Sequence, residues 1–147
     1  MVRVAFDRER DWPDGPWKEE PDYAFWEDKQ TGLSCMVRRN MQIGFLCGYV
    51  AVPKGHPRYG SHYESHYLPD DIHGGLTYSG LNPMERNDGL WWFGFDCGHF
   101  MDFMPLLHAK LLHLGLDKTG MEGMTYKTIG YVRKECRRLA TQLSESA

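Results

Sequence analysis

The sequence predicts an α+β fold: a small, mostly antiparallel sheet, one long C-terminal helix packed on it, and an extended N-terminal arm. Three observations predict it. Residues 43–52 and 91–98 are apolar and divide into two faces with the period of two that a strand imposes. Between residues 126 and 143 the apolar positions Ile129, Val132, Cys136, Leu139, Ala140 and Leu143 recur at spacings of three and four, the mark of an amphipathic helix. Residues 1–30 show neither period. The chain of 147 residues suits one domain with a real core, an arm over 1–30 and a globular body over 31–147.

Along the arm, charges alternate with prolines and with the aromatics Trp12, Trp17, Tyr23, Phe25 and Trp26, which pin it to the body or to a neighbouring subunit. A turn at Thr31 and Gly32 precedes a strand over 33–39, with Leu33, Cys35 and Val37 on one face. Residues 40–42 form a hairpin connection to the clearest strand, 43–52. There Ile43, Phe45, Cys47, Tyr49 and Ala51 share one face; Gly44, Leu46, Gly48, Val50 and Val52 share the other. In 91–98 the faces are Trp91, Phe93, Phe95 and Cys97 against Trp92, Gly94, Asp96 and Gly98. If the glycine faces coincide, the sheet has a packed side and an indented side carrying Asp96, unless a helix presses into the indentation. The stretch 53–69 reads as a loop or short helix, 72–79 as a further strand, 81–89 as a polar connection and 100–116 as apolar with a short helix. A polar loop spans 117–123. In the closing helix Lys134, Arg137 and Arg138 face away from the apolar stripe, and residues 144–147 fray.

Composition excludes several classes. The hydrophobic fraction is 41%, and five Trp, eight Tyr and seven Phe supply large buried areas, so disorder is confined to the ends. A net charge of −3 argues against general nucleic-acid binding. Charge is uneven: residues 1–30 hold nine acidic and five basic side chains, while residues 126–147 hold five basic and two acidic. These are two solvated faces or ends that attract each other, within a subunit or across a homo-oligomer. Cys35, Cys47, Cys97 and Cys136 include no CxxC pair, and three of them lie in apolar stretches, which fits unpaired thiols in a reducing cytoplasm. Residues 1–15 carry charges throughout, so no signal peptide is expected, and the longest apolar runs are too short to span a membrane.

The chemistry concentrates in two glycine-rich runs, one around His73, Gly74 and Gly75 and one around Asp96, Gly98 and His99. Glycines flanking ionisable groups mark places where something approaches the backbone closely. Five of the seven histidines, His56, His62, His66, His73 and His99, fall within 44 residues. His73, Asp96 and His99 have the donor types to hold a divalent metal with an open position for water, or to act as acid and base. Asp102 adds a further carboxylate nearby, and Asp96 has the alternative of orienting His99 or His73. A small polar ligand, nucleotide-type in the sharpest form, would meet Lys54, His56, His73, Gly74, Thr77, Tyr78, Trp92, Asp96 and His99. Lys54 and His56 would take a phosphate at the end of strand 43–52, against the alternative of a rigid proline turn. Trp92 or Tyr78 would stack. Cys97, next to Asp96 and near His99, suggests a cysteine nucleophile, but strand alternation turns it to the opposite face from Asp96 and favours a buried inert thiol. No Gly-x-Ser-x-Gly elbow, phosphate-binding loop or dinucleotide fingerprint is present.

Four blocks in order carry a resemblance: residues 48–57 (GYVAVPKGHP), 73–78 (HGGLTY), 92–99 (WFGFDCGH) with Asp102, and 131–143 (YVRKECRRLATQL). Together they resemble a family of small uncharacterised proteins encoded by bacteriophages and prophages. Gly98 departs from the alanine more often found there. The resemblance implies a phage-encoded accessory protein of the infected cell's cytoplasm that counters host defence, and no particular activity. Three expectations follow: a binder of a small polar ligand, a metal- or His/Asp-dependent hydrolase of phosphodiester type, or an inhibitor that docks on a host protein.

Overall fold

The computed structural model describes residues 6–116 and 123–145. Most of the loop expected over 117–123, and the last two residues of the fraying end, lie outside the described residues. Five antiparallel strands form one sheet in the order β1-β2-β3-β5-β4: β1 (Tyr23–Glu27), β2 (Ser34–Arg39), β3 (Leu46–Val52), β4 (Tyr78–Gly80) and β5 (Trp91–Asp96). Among the described residues three α-helices accompany it, α1 (Arg8–Asp11), α2 (Pro105–His113) and α3 (Ile129–Glu145), with a short 3-10 turn at Pro16–Lys18. No helix among the described residues is long and apolar enough to cross a membrane.

The helical stripe read from the sequence is the core. Val132, Cys136, Leu139, Ala140 and Leu143 of α3 pack on Cys35, Val37, Leu46, Val50, Val52, Phe93, Phe95 and Cys97, all buried. Covering one sheet face with a helix is how an amphipathic stripe and an alternating strand hide their apolar sides together. The opposite face carries a smaller cluster of Met36, Tyr49, Ala51 and Trp92. The third strand is shorter than expected: of 72–79 only the end pairs, and it pairs briefly with β5. All four cysteines are free, and three are buried.

The register overturns the expectation of one indented face. Gly48 pairs with Phe95 and Tyr49 with Gly94. Paired residues lie on the same side of a sheet, so the glycine faces of β3 and β5 point in opposite directions. Each glycine has a neighbour's ring over it. A Cβ on Gly48 would run into Phe95, and one on Gly94 would run into Tyr49. The bare spots are therefore filled by aromatics from the adjacent strand, and neither is a ligand cleft.

The N-terminal segment joins the fold more closely than an arm. Its end is the edge strand β1, paired with β2. Trp12 and Trp17 are buried with Leu106 and Ala109 of α2, against Phe103 and Tyr126. Its acids converge on Arg39, whose guanidinium is fully buried. Arg39 Nε donates to Asp22 at 2.8 Å, and Nη1 donates to the Gly44 carbonyl at 2.8 Å and to Tyr126 Oη at 3.0 Å. Glu20 lies 3.4 Å from Arg39 and accepts the backbone N–H of Ile129 at 2.8 Å. An acid from the segment thus satisfies one of the free amides that every helix start leaves open.

Candidate functional site

At the start of α3, side chains from three separate segments meet. Thr128 accepts the amide of Tyr131 at 3.2 Å and so caps the helix, placing Tyr131 in the first turn and Glu135 in the second. The loop 71–75 is tied to that face. Glu135 accepts the backbone N–H of His73 at 3.1 Å and the Arg138 guanidinium at 2.6 Å, and Arg138 also reaches Asp71 at 2.9 Å. This sets His73 between two partners. Its Nδ1 lies 2.8 Å from Tyr131 Oη, and its Nε2 lies 2.8 Å from Asp102 Oδ2.

The proton positions follow from the chemistry. Burial pushes the Tyr131 phenol above its ordinary pKa, and the nearby Glu135, Cys97 and Asp102 add to the shift. A carboxylate only accepts, so Asp102 accepts the Nε2–H of His73, and the Tyr131 hydroxyl faces Nδ1. Asp102 is 2% exposed. It also accepts the backbone N–H of His99 at 3.1 Å and lies 3.3 Å from Lys127 Nζ. Its own position depends on a tight turn from His99, in which Met101 takes a left-handed φ of 74°. A non-glycine residue rarely adopts that conformation, and such strain collects at functional sites.

His99 lies beside this cluster with its ring centroid 6.1 Å from that of His73. Its ring packs flat on Gly74, where any Cβ would overlap Cδ2 and Nε2. Asp96 accepts the Thr77 hydroxyl at 2.9 Å and the Gly98 amide at 3.0 Å. His99 Nε2 comes within 3.3 Å of Asp96 Oδ1, yet it makes no hydrogen bond. Among the described residues only one other buried side-chain polar atom, Arg58 Nε, lacks a partner.

The structure thus brings together His73, Gly74, Thr77, Asp96 and His99 of the expected ligand residues. Tyr78 borders the same small cavity as Thr77 and Asp96, while Lys54, His56 and Trp92 lie elsewhere. His56 accepts the Arg58 amide at Nδ1 and donates from Nε2 to the Leu143 carbonyl at 2.9 Å. That caps the far end of α3, twelve residues or about 18 Å along the axis from Tyr131. Lys54 is exposed on the same turn. The proline turn is therefore a helix cap and not a partner of the His73 cluster. Trp92 shares the Asp96 face of β5 but is fully buried at the strand's opposite end, where it donates to Asp88, and Tyr78 packs edge-on against Tyr49. The metal trio of His73, Asp96 and His99 is not assembled as ligands: His73 turns to Asp102, and no group of three or more His, Cys, Asp or Glu among the described residues is placed to hold an ion. Cys97 is buried on the helix side, where burial foremost and then the Asp102 charge raise its thiol pKa, so it is a poor nucleophile.

Lys127, Tyr131 and Glu135 were not singled out in the sequence. One signal was available: Glu135 interrupts the apolar stripe between Val132 and Leu139, and an acid there needs a buried partner. Comparison with protein-family models, curated proteins and solved structures finds no match.

Proposed function

We propose that this protein binds a small polar ligand of nucleotide type at the partly exposed face formed by His99, Thr77 and Asp96, beside the His73–Tyr131–Asp102 cluster. The observation that carries the reading is His99 Nε2, unbonded in a cluster where both nitrogens of His73 are engaged. A buried polar atom without a partner costs about 1–3 kcal/mol, which a ligand recovers if it draws the ring into line. The Asp96 carboxylate, with Asp102 behind it, makes this face better suited to hydroxyls, amides or a base edge than to a phosphate. The blocks around residues 73–78, 92–102 and 131–143 that carry the phage resemblance all contribute to it. That supports a setting in the cytoplasm of an infected cell, where sequestering a defence-related small molecule is the role.

A second reading, catalysis, is favoured by the order Tyr131–His73–Asp102. It has the logic of a nucleophile or acid, a base, and a group that orients the base. His73 would take the phenolic proton at Nδ1, Asp102 would steady the imidazolium, and the phenolate would attack phosphorus as the P–O bond to the leaving group breaks, the imidazolium returning the proton to the departing oxygen.

Titration calorimetry against a panel of nucleosides and nucleotides tests the first reading. Binding is expected to weaken tenfold or more in His99→Ala and in Asp96→Asn, with Trp fluorescence and unfolding midpoint preserved. Full affinity in both variants would place the ligand elsewhere. Under the second reading the wild type also turns a ligand over, and Tyr131→Phe stops turnover while leaving affinity intact.

A further inference from the structure

A large cavity lies away from that cluster, between the β1–β2 turn and the outward flank of α3. It is an open groove of about 870 Å³, within the range that accommodates a cofactor-sized ligand. Its floor is Trp26, and Arg133 holds its guanidinium over that ring at 4.4 Å. Along the helix, Arg133 and Arg137 are four residues apart, as are Lys134 and Arg138. Like charges at that spacing repel and destabilise the helix. Arg138 is committed to Glu135 and Asp71. Arg133, Lys134 and Arg137 have no carboxylate within ion-pair distance among the described residues. Lys29 adds a cation from the turn. Of the acids that line the groove, Asp28 is 5% exposed and accepts the Thr31 amide and hydroxyl, which leaves Glu27 and Glu145 at the rim.

We infer that this groove binds a nucleoside polyphosphate, its phosphates on Arg133, Lys134 and Arg137 and its base on Trp26. Guanidinium groups pair with phosphate through two parallel hydrogen bonds, and an indole face stacks on any base. As Arg133 swings from the ring to a phosphate it uncovers the surface on which the base stacks. Overall net charge of −3 disfavours a polynucleotide, whereas a short polyphosphate needs only the local excess of cations. The inference does not depend on the His99 face.

ATP is the probe. Titration calorimetry with the full chain is expected to show saturable ATP binding that weakens at least tenfold in the Arg133→Ala/Arg137→Ala double variant and at high salt. Trp26→Phe is expected to abolish the fluorescence change on binding. Adenosine should not displace ATP from the groove. Three results would each overturn the assignment: no saturable binding at millimolar ATP, full affinity in the double variant, or tripolyphosphate binding as tightly as ATP. The substituted arginines point outward, so an unchanged unfolding midpoint confirms that each variant is folded.

Discussion

Two polar networks anchor the start of α3, one around Arg39 and one around His73, and they differ in how completely they close. Arg39 is sealed: its guanidinium has no exposed surface and is shared among Asp22, Glu20, Tyr126 and a backbone carbonyl. The His73 network is also dense, but His99 at its edge keeps 35% of its side chain exposed and one nitrogen unbonded. A closed network in which every guanidinium nitrogen has a partner holds the chain together. An open one with a donor to spare has capacity for a visitor. The same residue types therefore serve different ends, and the number of hydrogen bonds left unmade separates them.

Breaking the closed network should have the largest effect. Arg39→Ala strands Glu20 and Asp22 without their cation and frees Tyr126 and the Gly44 carbonyl. Removing one partner of a buried ion pair costs about 3–5 kcal/mol. Urea unfolding is expected to show a loss of that order, with Arg39→Lys falling between, because an ammonium keeps the charge and loses the fork. A loss below about 1 kcal/mol would mean the network is ornamental and the N-terminal segment is held by Trp12 and Trp17 alone.

The contrast also explains what was legible in the sequence. Period-two and period-three-to-four patterns follow from local geometry, so β3, β5 and α3 could be read directly, along with the inward turn of Cys97. The N-terminal segment has no such period, and its role was invisible because it depends on Arg39, seventeen residues beyond Asp22 and 87 before Tyr126. The His73 site was half legible. Glycine-flanked His73, Asp96 and His99 gave its location, but its chemistry depends on Tyr131 and Glu135, which helical spacing presents as ordinary surface and stripe positions. Lys54 and His56 misled for the converse reason. A strand-end proline turn with a lysine and a histidine looks like a phosphate site until the end of α3 claims the imidazole. Gly48 and Gly94 misled because alternation fixes faces within a strand but leaves the register between strands open.

An intermediate effect should come from the two glycines that carry the open network's loop. Gly74 has φ 66° and Gly75 has φ 83°, so both favour glycine, but only Gly74 has His99 against it. Gly75→Ala therefore suffers backbone strain alone, about 1 kcal/mol. Gly74→Ala adds the displacement of the His99 ring, for a total of about 2 kcal/mol, and should weaken any ligand held by His99 by tenfold or more. Equal losses of stability and of binding in the two variants would show that His99 is not positioned by Gly74.

The smallest effect, and the one that probes the closed network without dismantling it, is acid sensitivity. Burial works to raise the pKa of Asp22, but hydrogen bonds and charge from Arg8 and Arg39 outweigh it, and the carboxyl is held below its ordinary value. In the unfolded chain it titrates near about 4. The ionised form is therefore favoured by folding, and its contribution is complete above that value and is lost as pH falls through the lower folded pKa. Asp22 is 39% exposed, so solvent screens the pair and the contribution stays at or below about 1 kcal/mol. Asp22→Asn should be less stable than the wild type at neutral pH by that amount, and the two should converge as the pH is lowered below 4. Asp88 is held low in the same way by Asn82, Trp92 and the Leu90 amide, so an acid limb should survive in the variant. Stability curves that stay parallel down to pH 2 would show that Arg39 draws its stabilisation from Tyr126 and the Gly44 carbonyl and not from Asp22. The buried guanidinium would then be held by neutral oxygens and by Glu20.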